Sequence, residues 1–105
     1  MSTAPTAVFA ALADDTRWTI LTRLGEAPAS ASALARELPI SRQAIVKHLE
    51  VLRAAGLVEA ETRGRELVHR ALGGRLSRLA RDLDRVAETW DRRLADVKRL
   101  AEQGD

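Results

Sequence analysis

The sequence contains no cysteine and no tyrosine among its 105 residues, and only one phenylalanine, two tryptophans and two histidines. Without cysteine the chain forms no disulfide and carries no thiolate nucleophile or thiolate metal ligand, which is consistent with a reducing compartment. The same absences explain a sequence pI near 9.9 on a net charge of only +2, because almost nothing titrates between neutrality and about pH 10. The pI by itself therefore says nothing about a nucleic-acid partner.

Long apolar segments are also absent. The longest uninterrupted apolar run, from Ala7 to Ala13, is far shorter than the about 20 residues that a membrane-spanning helix needs. The N-terminus lacks the basic start and apolar centre of a signal peptide. We therefore expect a cytoplasmic protein without a membrane partner.

The positive charge is concentrated in the middle of the chain. Residues 1–40 carry a net charge of −1 and residues 76–105 carry none, whereas residues 41–75 hold seven basic and four acidic residues, a net of +3. A polyanion would be held where the positive charge is concentrated, so this segment is the candidate binding region.

Apolar residues at helical spacing predict four short helices in the first half. The first covers residues 7–13, the second begins near Thr16 and ends near Pro28, and Ser32 looks like the cap of the third, which Pro39 closes. Ser41 caps the fourth helix, which Gly56 ends. Its expected buried residues are Ala44, Ile45, Leu49, Val51 and Leu52. The few residues between the third and fourth helices have the length of a helix-turn-helix connection.

The spacing of apolar residues changes to two after Gly56. Residues 58–62 and 67–72 form two extended runs, separated by the turn Arg63-Gly64-Arg65. We expect a β-hairpin with two arginines at its tip. A basic hairpin that follows a helix-turn-helix is typical of a wing, which lies along the DNA beside the groove that the recognition helix enters.

A long amphipathic helix is predicted at the C-terminus. It contains neither proline nor glycine from Leu76 to Gln103, so it spans about 28 residues or roughly 40 Å. Its apolar residues recur at steps of three and four, close to a heptad pattern. A small core does not cover so long a stripe, and we interpret it as a dimerisation helix to which the first helix contributes. The predicted dimer-interface residues are Val8, Phe9, Leu12, Leu79, Leu83, Val86, Trp90, Leu94 and Val97.

The start of the fourth helix is the predicted recognition surface. Arginine suits guanine, glutamine suits adenine, and lysine suits the phosphate backbone. The preceding helix begins near Ser30 and Ser32, which offer amides and hydroxyls to a phosphate. The predicted DNA contacts are Ser32, Ser41, Arg42, Gln43, Val46, Lys47, Arg63 and Arg65.

These residues resemble the ArsR/SmtB family of bacterial transcriptional repressors. The resemblance rests on the runs LADDTR at residues 12–17, SRQA at 41–44, KHL at 47–49, AGLV at 55–58 and the Arg-Gly-Arg turn. It implies a homodimeric winged helix-turn-helix protein that represses by occupying a palindromic operator, usually that of its own gene. It also implies a bacterial protein that is associated with the nucleoid when bound to DNA.

The resemblance includes a departure that concerns metal sensing. The metal sensors of the family have a cysteine pair where this chain has Ser30 and Ser32, and hydroxyls bind soft ions poorly. The second family site uses Asp and His from the C-terminal helices, but no histidine follows His69 here. The sequence is similar to a subgroup without metal ligands, so we expect neither a metal nor a cofactor. The acidic residues of the last helix alternate with arginines and favour intrahelical ion pairs.

The predicted fold is therefore mainly α with a small β-hairpin, a winged helix-turn-helix with a long C-terminal dimerisation helix. It forms one domain over residues 1–105, with a DNA-binding core at 7–72 and the dimerisation helix at 76–103. The alternative function is an interaction protein that responds to a partner or small ligand, in which the long helix binds another protein. An enzyme is not expected, because the chain has no cysteine nucleophile, phosphate loop or catalytic metal set. An effector ligand and the operator sequence cannot be read from the chain.

Overall fold

The computed structural model describes residues 6–103, so residues 1–5 and 104–105 of the predicted domain lie outside the described part. Its elements are α1 (Thr6–Leu12), α2 (Asp15–Glu26), β1 (Ala29–Ser30), α3 (Ala31–Glu37), α4 (Arg42–Ala54), β2 (Val58–Arg63), β3 (Glu66–Ala71) and α5 (Gly73–Gln103). The chain divides into two compact units, one ending at Arg75 and the other beginning at Leu76. The predicted fold class, mainly helical with a hairpin and a long last helix, is confirmed.

The core of the first unit is formed by aliphatic side chains from three helices and the first hairpin strand. Its largest fully buried members are Ile20, Leu34, Ile45, Leu49, Leu52, Leu57 and Val58. Burial of each such side chain contributes about 1.5–3 kcal/mol, before the entropy cost of ordering the chain is subtracted. Ile45, Leu49 and Leu52 follow one another at steps of four and three, so they form a single face of α4 that fixes how the helix is rotated.

Polar groups fix the start of α2 and the end of α1. The Asp14 carboxylate accepts a hydrogen bond from the Arg17 amide at 3.0 Å and caps the helix, and this bond lowers the pKa of Asp14. The Arg17 guanidinium donates to the carbonyls of Ala11 and Ala10 at 2.7 and 3.1 Å, which satisfies the C-terminal end of α1. One arginine thus joins the first two helices.

A bidentate ion pair connects α2 to α3. The Arg23 guanidinium donates through Nε and Nη2 to the two carboxylate oxygens of Glu37, at 2.5 and 3.0 Å. The hydrogen bonds between the two side chains raise the pKa of Arg23 and lower the pKa of Glu37. This ion pair fixes the position of α3, the helix that precedes α4, relative to α2.

The sheet has three strands rather than the predicted two. The predicted hairpin is formed by β2 and β3, with Val58 opposite Ala71 and Arg63 opposite Glu66. The short strand β1 pairs antiparallel with the other edge of β3, so that the order is β1-β3-β2. Two residues are too few to give a periodic signal, and a strand of that length forms only because β3 offers its free edge.

Gly56 ends α4 as predicted. It follows the C-cap Ala55 and has a φ of +76°, a left-handed conformation that costs little only for glycine. A Cβ at this position would lie 2.6 Å from Nε of Arg75. The backbone conformation therefore favours glycine here, and a larger residue would in addition displace the Arg75 side chain.

Predictions about apolar positions and helix limits were wrong in several details, including Ala44, which is half-buried rather than buried, and α1, which covers Thr6–Leu12 rather than residues 7–13. Val51 was expected to be buried, but it is 41% exposed and lines an open groove between α1 and α4. It lies about 100° around the helix from Leu52 and therefore off the face of α4 that reaches the core. The last helix begins at Gly73 rather than at Leu76, because the two glycines at positions 73 and 74 are accommodated in its first turn.

The second unit consists of α5 from Leu76 onward. Leu79 is buried, whereas six larger apolar side chains between residues 83 and 100 are 49–67% exposed. They are Leu83, Val86, Trp90, Leu94, Val97 and Leu100. Arg85 pairs with Asp82 and Arg99 with Asp96, in agreement with the predicted intrahelical ion pairs. None of the helices in residues 6–103 is long and apolar enough to span a membrane.

Candidate nucleic-acid interface

The exposed start of α4 carries the predicted base-reading side chains. Ser41 caps the helix, and its Oγ accepts a hydrogen bond from the Ala44 amide at 3.1 Å. Arg42, Gln43 and Lys47 are exposed, and Val46 is half-buried beside them. Because Ile45 and Leu49 are buried in the core, α4 presents these polar residues from a fixed position.

The helix before α4 begins two residues earlier than predicted. Ser30, not Ser32, is the N-cap of α3, and its Oγ accepts a hydrogen bond from the Ala33 amide at 3.1 Å. Ser30 also pairs with Val68 in the sheet, and this pairing fixes the extended backbone that an N-cap needs. Both serines are residue types that favour the N-cap position, and the pairing of Ser30 with β3 selects Ser30.

The Ser32 hydroxyl is consequently free to contact the recognition helix. It accepts a hydrogen bond from Nε of Arg42 at 3.0 Å. This bond joins α3 to the first residue of α4 and aligns one of the predicted DNA contacts with another. The guanidinium retains its two terminal nitrogens for other acceptors.

The hairpin ends in a turn of two residues. Arg63 is the last residue of β2 rather than part of the turn, which consists of Gly64 and Arg65. Gly64 has a φ of +63°, and no non-glycine residue between 6 and 103 has a positive φ. A positive φ at the first central residue alone is the pattern of a type II′ turn, which matches the twist of the flanking strands. Arg65 thus lies at the extreme tip.

The arginines of the hairpin differ in how much charge they offer. Arg63 pairs with Glu61 on the same strand at 2.7 Å, and Arg70 pairs with Glu59 on the neighbouring strand. Within residues 6–103, Arg65 has no ion-pair partner within 4.0 Å. The tip arginine is therefore the wing residue whose charge is least compensated.

Two residues near this surface were not singled out from the sequence as contacts. Arg53 projects from α4, and His69 lies in the middle strand and is 8% exposed. Burial and, to a smaller extent, the charge of Arg53 lower the pKa of His69. Arg53 and His69 lie 16 positions apart in the chain, on a helix and a strand, so no local sequence pattern could predict that they are close.

The remaining predicted residues are distributed as follows. Phe9 of α1 is 44% exposed and Leu12 is partly exposed, whereas Val8 is buried. Trp18 of α2 is 56% exposed. Between residues 6 and 103, no three His, Asp or Glu side chains lie close enough together to hold a metal ion.

A helix pair followed by a two-stranded basic hairpin defines the winged helix-turn-helix class of DNA-binding proteins. A family model described as a helix-turn-helix domain matches residues 12–61. The HTH-type transcriptional regulator Rv2034 of Mycobacterium tuberculosis is 40% identical over 102 residues, which cover 96% of this chain and 92% of the relative. The chain therefore belongs to the helix-turn-helix transcriptional regulators, and it is a DNA-binding regulator rather than an enzyme.

Solved structures agree with this assignment. An ArsR-like transcriptional regulator from Rhodococcus sp. RHA1 is 58% identical, with a TM-score of 0.85 over 92% of each chain. The homodimeric winged helix-turn-helix DNA-binding domain of Mb0332 from Mycobacterium bovis is 29% identical, with a TM-score of 0.65 over 79% of this chain and 77% of that one. The first of these structures covers most of both chains at high identity, so the chain belongs to the ArsR-like family of helix-turn-helix regulators.

Proposed function

We propose that the chain is a homodimeric, metal-independent repressor that reads a palindromic operator, usually in front of its own gene. In this proposal α4 enters the major groove and the wing, the hairpin of β2 and β3, contacts flanking DNA. The observation that carries the proposal is the start of α4, where Arg42, Gln43 and Lys47 are exposed together on a helix fixed by the core. These are side chains that read base edges and phosphates.

The proposed DNA contacts come from three places in the first unit. The start of α4 supplies Ser41, Arg42, Gln43, Val46 and Lys47, the start of α3 supplies Ser32, and the wing supplies Arg63 and Arg65. Residues 41–75 hold the whole positive excess of the chain, and a dimer presents this segment twice. Two equivalent recognition helices require two equivalent half-sites, which is the basis for proposing a palindrome.

The proposed dimer interface is the exposed apolar row of α5. Leu83, Val86, Trp90, Leu94 and Val97 repeat at steps of three and four and are all about half exposed or more. Phe9 of α1 adds a further exposed apolar side chain. Soluble monomers seldom expose such a continuous row, and a second copy of the same helix would cover it. Val8 and Leu79 are buried, so they would contribute less to such an interface.

Metal independence is proposed from the chemistry of the side chains. The hydroxyls of Ser30 and Ser32 are engaged with the Ala33 amide and the Arg42 guanidinium, and hydroxyls are weak ligands for soft ions. We therefore propose that a chelator leaves DNA binding unchanged. The site of action would be the cytoplasm, where the DNA is.

Selection from a pool of randomised DNA duplexes tests the proposal. We expect a palindrome with half-site centres about one helical turn, or 10–10.5 base pairs, apart or a multiple of that spacing. Binding to the selected duplex should weaken steeply with salt and should survive scrambled competitor DNA and EDTA. Transcription in vitro from a promoter that contains the palindrome should fall when the protein is added. Enrichment of no sequence, or loss of binding in EDTA, would contradict the proposal.

A further inference from the structure

A cavity of about 270 Å³ lies within the first unit, between the start of α3, the exposed side of α4 and the wing. Its lining combines residues of the proposed DNA surface with residues that lie behind that surface. The first group consists of Ser32, Arg42, Val46 and Arg65, and the second includes Leu49, Arg53, Leu67 and His69. The volume is just below the range of about 300–1,000 Å³ that is usual for ligand pockets, so a small molecule fits it.

The walls of the cavity offer an apolar surface and an excess of positive charge. Val46, Leu49 and Leu67 provide aliphatic contact. Three arginines face two carboxylates, those of Glu50 and Glu66, but within residues 6–103 none of these five groups forms an ion pair. Arg42 is held by Ser32 through Nε alone, and Arg53 and Arg65, which form no ion pair among the described residues, offer complete guanidiniums to an anionic group.

His69 adds an unused hydrogen-bonding atom to this wall. Its ring is 8% exposed, and Nδ1 is buried without a hydrogen-bond partner among the described residues. Burial and, to a smaller extent, the Arg53 charge lower the pKa of His69, against the smaller opposing effect of a hydrogen bond to the Ala29 backbone, so they favour the neutral ring. A neutral imidazole has one nitrogen that accepts a hydrogen bond, and Nδ1 is the ring nitrogen that is buried without a partner among the described residues. Buried polar atoms without partners are rare in native proteins.

We propose that this cavity binds a small organic acid, a carboxylate on an apolar body that also carries a hydroxyl group, and that its occupancy competes with DNA. The carboxylate pairs with Arg53 and Arg65, the apolar body contacts Leu49 and Leu67, and the hydroxyl donates to Nδ1 of His69. Because Nδ1 is covered, the imidazole must turn toward the cavity when the hydroxyl binds. The competition with DNA rests on the proposed function, since it requires Arg42 and Arg65 to contact DNA.

A phosphate group is a second source of the same charge. Arg53 and Arg65 would also suit an oxygen of the DNA backbone, which lacks an apolar body and a hydroxyl donor. The two sources differ in whether the aliphatic wall and His69 take part. A probe that carries all three features therefore distinguishes them.

The test uses 3-hydroxybenzoate as the probe and nuclear magnetic resonance of the full-length protein. We expect the probe to shift the methyl signals of Val46, Leu49 and Leu67 and the ring nitrogen signals of His69. Benzoate lacks the hydroxyl and 3-hydroxybenzamide lacks the charge, and each should bind about tenfold more weakly. Inorganic phosphate should not move the Leu49 and Leu67 methyl signals. Absence of shifts, or equal shifts from phosphate, would overturn the proposal.

Substitutions test whether 3-hydroxybenzoate binds in this cavity. Arg53→Gln should weaken binding of 3-hydroxybenzoate about tenfold through loss of a charge-assisted hydrogen bond. Arg36→Gln, an exposed arginine on α3 that does not line the cavity, is the matched control and should bind the probe as the unchanged protein does. Circular dichroism establishes that each variant is folded. Equal binding by the two variants would show that the probe binds elsewhere.

Competition between the ligand and DNA is measured with the selected duplex and the probe together. We expect 3-hydroxybenzoate, and not 3-hydroxybenzamide, to release the DNA over the concentration range in which the His69 signals move. Probe binding without release would refute competition while it supports the cavity. If the protein selects no DNA at all, the proposed function fails, and the magnetic-resonance experiment still decides whether the cavity is a binding site.

Discussion

Gln43 is the residue that distinguishes base reading from general attraction to DNA. Its amide is exposed at the start of α4 and can donate to and accept from one base edge. We expect Gln43→Ala to lose discrimination at one position of each half-site, by about 1–3 kcal/mol, with little change in affinity for random DNA. Gln103→Ala, at the exposed end of α5, is the matched control. Competition with duplexes substituted at single positions measures the effect, and an unchanged base preference would show that Gln43 points away from the bases.

The two arginines at the wing should differ in their effect on salt dependence. Arg65 is unpaired among the described residues, whereas Arg63 already has the Glu61 carboxylate 2.7 Å away. Arg65→Gln should therefore reduce the slope of log affinity against log salt by about one, as expected for one lost phosphate contact. Arg63→Gln should reduce it less, because Glu61 offsets part of the charge that is removed. Fluorescence anisotropy at several salt concentrations measures both slopes, and a larger effect at position 63 would place Arg63 rather than Arg65 on the phosphate.

Glycines in different elements provide a graded test of the fold. Gly56→Ala meets both a positive φ and the Arg75 side chain, so it should lower the free energy of unfolding by about 1–2 kcal/mol or more. Gly64→Ala meets a positive φ in open space and should cost about 1 kcal/mol. Gly25→Ala lies in α2 with space around it and should stabilise by about 0.5–1 kcal/mol. Urea unfolding of the three variants gives the order, and a stable Gly56→Ala would contradict the described end of α4.

Local signals in the sequence located most elements but not those that depend on distant partners. Ser41 and Gly56 delimit α4 through their own capping chemistry, and both positions were predicted. Ser30 and Ser32 satisfy the same capping rule, and only the pairing of β1 with β3 selects Ser30. Strand β1 itself is too short to show alternation. Periodicity thus determined the helices, while the third strand depends on contacts between segments that are far apart in the chain.

The residues of the candidate site illustrate the same difference. Arg42, Gln43 and Lys47 lie within six residues at the start of one helix and could be grouped from the sequence. Arg53 and His69 come from α4 and β3, and their approach is set by how the helix packs on the sheet. No pattern within the sequence reports that distance. The half of the site that we propose to face DNA was therefore predictable, whereas the half behind it required the structure.

At the scale of the whole molecule, the apolar row of α5 makes the assembly state testable. Leu83→Glu or Trp90→Glu should convert the proposed dimer to a monomer, because a carboxylate would be buried in an apolar contact. The monomer should bind the palindrome far more weakly, since it reaches one half-site at a time. Ala95→Glu adds the same charge on the opposite face of α5 and should leave the dimer intact. Sedimentation equilibrium measures the mass, and a dimer that survives both substitutions would place the interface elsewhere.

The position of β3 in the middle of the sheet also limits how the wing can vary among related proteins. Because β3 pairs with β1 on one side and β2 on the other, an insertion near its base would disturb two ladders at once. At the tip, beyond Arg63 and Glu66, it would disturb neither. One added residue in a strand would also reverse which side chains face the core. We therefore expect wings on this plan to differ in length only at the tip, through matched extensions of both strands.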